Sequence, residues 1–176
     1  ENPKMPEEME TNAYGVPPYD VEAVADFITY HTKIQDNQVV LDLGCGPGRL
    51  IEALARKNQK TTFIGADISP TMVRLTATRN LSNVIVTIAS DNTIPMTDLD
   101  AAYSVTVLQH LPHDVVEYYL AQVYHDLKPK GRFIFSYAEG DADHFLSHQM
   151  TNTQVNNLLV ACGFSRVIHL ITPADH

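Results

Sequence analysis

The stretch VVLDLGCGPGRL (39–50) carries the clearest chemical signal in the chain. An apolar run leads straight into Gly44, Gly46 and Gly48, and a helical stripe follows. Glycine serves where a backbone turns sharply or must approach a ligand closely. A helix starting just after such a turn offers free N–H groups to negative charge. About 20 residues further on, Asp67 ends the next apolar run, where a carboxylate can accept both hydroxyls of a ribose. Ser69 fills the cap of the following helix, which leaves Asp67 free for that work. Together these residues imply a nucleoside cofactor at the carboxyl ends of the strands. The spacing is GxGxG, and Arg49 stands where the dinucleotide fingerprint GxGxxG needs its third glycine. Asp42 lies just before the loop and Cys45 inside it. Nothing near Cys45 suggests thiolate activation, so it reads as a small packed side chain.

Histidines supply the other candidate chemistry. His110 and His113 fall where a strand gives way to a helix, at the sheet edge that binds ligands. His113 reads as a residue of the first helical turn. His110 is the candidate catalytic residue, as a wall of the acceptor pocket or as a general base. His144 and His148 are spaced to share a helix face, with Asp141 and Asp143 nearby, but no HExxH or cysteine cluster accompanies them. A polar loop is the simpler reading there, and no metal site is assigned.

The elements that must hold these residues alternate. Asp20 caps a helix with the stripe Val21, Val24, Ala25 and Ile28. Apolar runs at 39–43, 61–66, 83–89, 101–108, 132–138 and 164–171 predict strands. Helices are predicted after Gly48, after Ser69-Pro70, after Pro112, and over 154–162 with Gly163 at its end. Strands alternating with helices imply an α/β, doubly wound, mostly parallel sheet with helices on both faces. Residues 1–19 lack periodicity and read as an arm or lid, and 20–176 as a single domain.

Twelve Lys+Arg against 21 Asp+Glu give a net charge of −9, which argues against coating nucleic acid or an anionic membrane. No apolar run is long enough to span a bilayer, and the polar, acidic start shows no secretory leader. Two cysteines fit a reduced, cytoplasmic setting better than a disulfide framework.

The loop resembles the first motif of class I S-adenosylmethionine (SAM)-dependent methyltransferases, hh-D-h-G-C-G-x-G. GADIS (65–69), ASDNTIP (89–95), DAAYSVTVLQHLP (100–112) and LKPKGRFIFS (127–136) resemble the later motifs of that family, in order. The resemblance implies a Rossmann-like fold and SAM as cofactor, leaving S-adenosylhomocysteine (SAH) as product. It implies that the backbones of Gly44, Cys45, Gly46 and Gly48 let the methionine and ribose approach, with Asp42 supporting the loop and reaching the methionine amine through water. It places Asp67 on the ribose hydroxyls, Asp91 on the adenine amino group, Asn92 and Ile68 beside the ring, and the Ser104 backbone on the methionine ammonium. These carboxylates suit a cofactor carrying two positive groups. Tyr14 and Tyr19 are placed to close over the cofactor from the arm, the alternative being an arm with two hydrophobic anchors.

Members of this family end in an antiparallel seventh strand between strands 5 and 6. No such run is visible, so the expected order is 3-2-1-4-5-6, all parallel. Segments typical of DNA amino-methylating or cytosine-methylating relatives are missing, which with the charge points to a small-molecule acceptor. A homodimer or partner chain would complete a pocket left open by the short segment after strand 5. The competing readings are a SAM-binding partner subunit or sensor without transfer activity, and an NAD(P)-dependent oxidoreductase.

Overall fold

A computed structural model describes residues 20–89, 98–140 and 148–170. The chain opens with α1 (Val21–Thr32), β1 (Val39–Leu43), α2 (Arg49–Lys57), β2 (Thr62–Asp67), α3 (Pro70–Ala77) and β3 (Val84–Ile88). It continues with β4 (Leu99–Ser104), a 3-10 turn (Leu108–His110), α4 (His113–Asp126), β5 (Leu127–Phe135) and α5 (Asn152–Cys162). The five described strands form one sheet, ordered β3-β2-β1-β4-β5, with every pair parallel. This is the Rossmann-like α/β arrangement that the alternating pattern predicts.

Side chains alternate across a strand, so β1 feeds two cores. Leu41 and Leu43 join Ile64, Ala102, Val116, Leu120, Val123 and Leu159 beneath α4 and α5. Val40 joins Ile28, Leu50, Leu54, Phe63 and Tyr103 beneath α1 and α2. The central strands are buried on both faces, hence their unbroken apolar runs.

The helix ends follow their capping chemistry. The Asp20 side chain accepts from the Glu22 and Ala23 amides, at 3.0 and 3.1 Å. Ser69 caps α3 ahead of Pro70. Thr151 and Gln154 close a capping box on α5, which ends at Gly163 with φ 108°. Each cap is worth about 1 kcal/mol.

Strands β4 and β5 depart from their expected boundaries. β4 stops at Ser104 rather than running to Leu108, because Thr106 takes a left-handed φ of 58° and sends its N–H to Ser136 Oγ at 2.7 Å. β5 begins at Leu127, but residues 128–131 loop out: Leu99 faces Leu127 and Ala101 faces Arg132, with Lys130 at φ 72°. Continuous pairing therefore starts at the predicted Arg132.

The predicted sixth strand is not formed over 164–170, which corrects the order 3-2-1-4-5-6 to 3-2-1-4-5. This segment runs alongside β5 through side chains. Phe164 lies 6.5 Å from Phe133 between ring centres, and His169 Nδ1 meets the Tyr137 hydroxyl at 2.8 Å. The alternation of FSRVIHL sets which side chains dock, but it does not supply a backbone ladder. Among the described residues no helix is long and apolar enough to cross a membrane.

Candidate functional site

Strand order reverses between β1 and β4, and the crevice above that switch point is where open α/β sheets bind ligands. β1 ends there in the glycine loop. Gly44, Gly46 and Gly48 adopt φ of 80°, 52° and 82°, a region costly for side chains with a Cβ. The Gly44 and Cys45 amides both donate to the Ala66 carbonyl, at 2.7 and 3.1 Å, and so bind the loop to the end of β2. At two of these glycines the room left by the missing Cβ is filled by protein. A Cβ on Gly44 would stand 2.3 Å from Val107, and one on Gly48 2.7 Å from Thr76. Gly44 and Gly46 are half-buried, while Gly48 is buried and precedes α2.

Asp67, at the carboxyl end of β2, is pinned from one side. Its Oδ2 accepts the Gly46 amide at 2.8 Å and its Oδ1 accepts the Ser69 amide at 2.8 Å. Each carboxylate oxygen has a second lone pair, so two acceptor sites remain for a diol. Ile68, the next residue, is 67% exposed at the same edge. A pinned carboxylate, an exposed apolar residue beside it and a half-exposed glycine loop fit the ribose and base of a nucleoside.

Asp42, the last polar residue of β1 before the loop, is set into the core. It is 3% exposed, because period-2 alternation turns it toward the core beneath α2, in register with Tyr103 of β4. Burial pushes its carboxyl up to about 8, against the hydrogen bond from Tyr103 and with Asp67 adding to the rise. Its Oδ2 finds no hydrogen-bond partner. Burial without a cation beside it therefore favours the protonated form of Asp42.

Cys45 is likewise buried, its Sγ only 3.0 Å from where a Gly65 Cβ would lie, so a side chain at position 65 would crowd it. Burial, with Asp42 and Asp67, drives its thiol far above the usual range, so it is an inert packed side chain.

The end of β4 closes the other side. Ser104 is 0% exposed; its hydroxyl donates to the Leu43 carbonyl at 2.8 Å, and its own carbonyl accepts the Ser136 amide at 3.0 Å. It clasps β1 and β4 together and holds the start of the segment after β5. The half-buried residues 105–107 follow at the crevice. Thr106 is a β-branched residue in left-handed geometry, a strained turn of a kind that clusters at functional sites.

His110 ends the 3-10 turn and is exposed. His113 begins α4; its Nε2 lies 3.1 Å from the Gln149 carbonyl and its ring 6.2 Å from that of His148. The His148 amide donates to the Gln109 carbonyl at 2.7 Å. His113 is thus a structural tie between α4 and the segment before α5, as its place in the first turn suggests. Among the described residues no group of three or more His, Cys, Asp or Glu could hold a metal. Tyr14, Tyr19, Asp91, Asn92 and His144 lie outside the described residues.

The structure brings Gly44, Gly46, Asp67, Ile68 and His110 to one sheet edge, with Asp42, Cys45, Gly48 and Ser104 buried beneath. Sequence reasoning missed Thr76, Arg79 and Thr106. Thr76 and Arg79 hold loop carbonyls from α3 and beyond, and no motif marks them.

Such a site on such a sheet defines a nucleoside-cofactor domain. A family model described as "Methyltransferase domain" matches residues 40–131, more than half of the chain, and the chain belongs to that family. A trans-aconitate 2-methyltransferase from Methylobacterium nodulans is 40% identical over 77 residues, covering 42% of this chain and 29% of that protein. The chain therefore spans under a third of the length of this relative. A SAM-dependent methyltransferase from Aquifex aeolicus shares the fold at TM-score 0.67 and 19% identity, over 84% of this chain and 83% of that one. The cyclase SpnF does so at TM-score 0.69 and 22% identity, over 81% of this chain and 57% of that one. At these identities the likeness is one of fold, and the fold is that of SAM-dependent methyltransferases.

Proposed function

We propose that this chain binds SAM above the glycine loop and directs its methyl group to a small-molecule acceptor. The observation that carries the reading is Asp67, held by the Gly46 and Ser69 amides with its remaining lone pairs available at the switch-point crevice. Asp67 takes the ribose hydroxyls, and Ile68 lies along the adenine, with Asp91 and Asn92 completing that side. Gly44 and Gly46 let the backbone approach the ribose and methionine. The Ser104 backbone, with residues 105–107 beside it, meets the methionine ammonium. Tyr19 closes the cofactor from the arm, and His110 borders the acceptor.

When bound, SAM supplies an electrophilic methyl on a positively charged sulfur. What the chain contributes is position, since holding two reactants in line can supply about 7–11 kcal/mol of a barrier. His110 serves as a wall, and as a base where the acceptor must lose a proton. The decisive test incubates the protein with methyl-labelled SAM and a metabolite extract. Label in a small molecule supports the reading.

The second reading is a SAM-binding subunit or sensor. The fold likeness to a protein named as a cyclase favours keeping it, since one fold hosts different chemistries. Tight SAM binding with no labelled acceptor would select it. The −9 charge supports a small acceptor over nucleic acid.

A further inference from the structure

Against the carbonyls of the glycine loop stands a set of contacts that neither the motif nor the family match explains. The Thr76 hydroxyl, on the last turn of α3, donates to the Gly46 carbonyl at 2.8 Å. Arg79 Nε donates to the Pro47 carbonyl at 2.6 Å. The Arg79 guanidinium also pairs with Glu52 of α2, which holds Arg56 as well at 2.7 Å. Thr76 is 2% exposed, and it is the side chain a Cβ on Gly48 would strike.

These bonds complete the loop's peptide groups. The Cys45–Gly46 peptide is fixed at both ends: its carbonyl accepts the Gly48 amide at 3.0 Å, and its N–H goes to Asp67. The Gly46–Pro47 peptide has no N–H, and Thr76 holds its only polar atom. The Pro47–Gly48 peptide has its N–H on Cys45 and its carbonyl on Arg79. A peptide unit is planar, so holding its carbonyl fixes the plane of the whole unit. Glycine is the residue with most conformational freedom to lose. Without the two side chains, two of the three planes would be held at one end or not at all.

We propose that Thr76 and Arg79 are positioning residues for the cofactor: they hold the Gly46 and Pro47 carbonyls, so that the loop, and Asp67 through the Gly46 amide, are ordered before the cofactor arrives. This rests on the reading that SAM binds above the loop. Glu52 belongs to the brace. Its own partial burial works against ionisation, but hydrogen bonds from Arg56 and Arg79 hold its carboxyl below the usual range, so the ion pair persists at neutral pH. An ordered site spares the ligand the entropy of ordering it, which appears directly as affinity.

The test uses calorimetric titration of SAM into the wild-type chain and into T76V, T76S, R79M and R79K, well below their melting temperatures. Thr76→Val keeps the shape and removes only the hydroxyl. It should weaken SAM by about tenfold, the scale of one net hydrogen bond, and Thr76→Ser should restore affinity to within about twofold. Arg79→Met should weaken SAM by a similar factor. Arg79→Lys should not restore it, since a single ammonium cannot serve the Pro47 carbonyl and Glu52 with the planar fork of a guanidinium. Amide hydrogen exchange on the unliganded variants supplies a second readout. Gly46 and Gly48 should exchange faster in T76V and R79M while the α1 amides do not change. Wild-type affinity in T76V and R79M, or unchanged exchange at Gly46 and Gly48, would overturn the proposal. A wild-type chain that binds no SAM would overturn the functional reading itself, and the cofactor role of the brace with it.

Discussion

Replacing Asp42 with asparagine removes a titrating group from the core while keeping its shape, and its effect on stability should grow with pH. Asp42 ionises near 3.8 in an unfolded chain and at about 8 in the folded one. Between those values the folded protein holds a proton that the unfolded chain has released. Folding then takes up a proton, and stability falls as pH rises. Each unit of difference is worth about 1.4 kcal/mol, so the full window of about four units sets a ceiling of about 6 kcal/mol. The groups that face Asp42 are Tyr103 from β4, Asp67 from β2 and Cys45 from the loop, and none is a cation that would offset the burial. The asparagine amide has no such proton to lose. Urea unfolding of the unliganded wild type and D42N at pH 5, 6, 7 and 7.5 measures the difference directly, since every other titrating group cancels. The advantage of D42N should widen by about 1 kcal/mol per pH unit across this range. A constant difference across this range would mean that Asp42 is already ionised in the folded protein, and would refute the neutral-acid account.

Three further outcomes follow from the site geometry. Asp67→Ala should weaken SAM binding by about 1–3 kcal/mol, read by calorimetry, from lost charge-assisted hydrogen bonds; unchanged affinity would remove Asp67 from the site. Gly44→Ala should lower folding stability by about 1–3 kcal/mol in urea melts, because its φ is 80° and its Cβ would stand 2.3 Å from Val107; a neutral effect would show that Val107 and the loop relax freely. His110→Ala should reduce turnover of the acceptor, once one is found, more than it reduces SAM affinity; the reverse would move His110 to the cofactor.

The parts of the fold that were legible in the sequence are those where local chemistry and the hydrophobic pattern agree. Asp20, Ser69 and Gly163 mark helix ends by hydrogen bonds or backbone geometry particular to their residue types, and the structure uses each so. The β1 boundaries 39–43 came directly from a buried run ending at a glycine. Alternation over 164–171 was misleading, because apolar side chains can dock Phe164 and its neighbours without a ladder. Thr106 ended β4 early through a left-handed turn that a threonine gives no sign of adopting. In the site, residue type pointed to Asp67 and the glycines, but not to burial. Ser104 and Asp42 belong to the motif yet face inward, since one residue of register decides which side of a sheet a side chain meets. Thr76 and Arg79 were invisible for a related reason. Their bonds go to backbone carbonyls about 30 residues away in sequence, and only the folded chain brings such partners together.

The account stands most directly on what the crevice above Gly44 and Asp67 binds. Calorimetric titration with SAM, SAH and NADH in turn decides it. One-to-one saturable binding of SAM and SAH, with no heat from NADH, is the expected result. Saturable NADH binding with none for SAM or SAH would contradict the account.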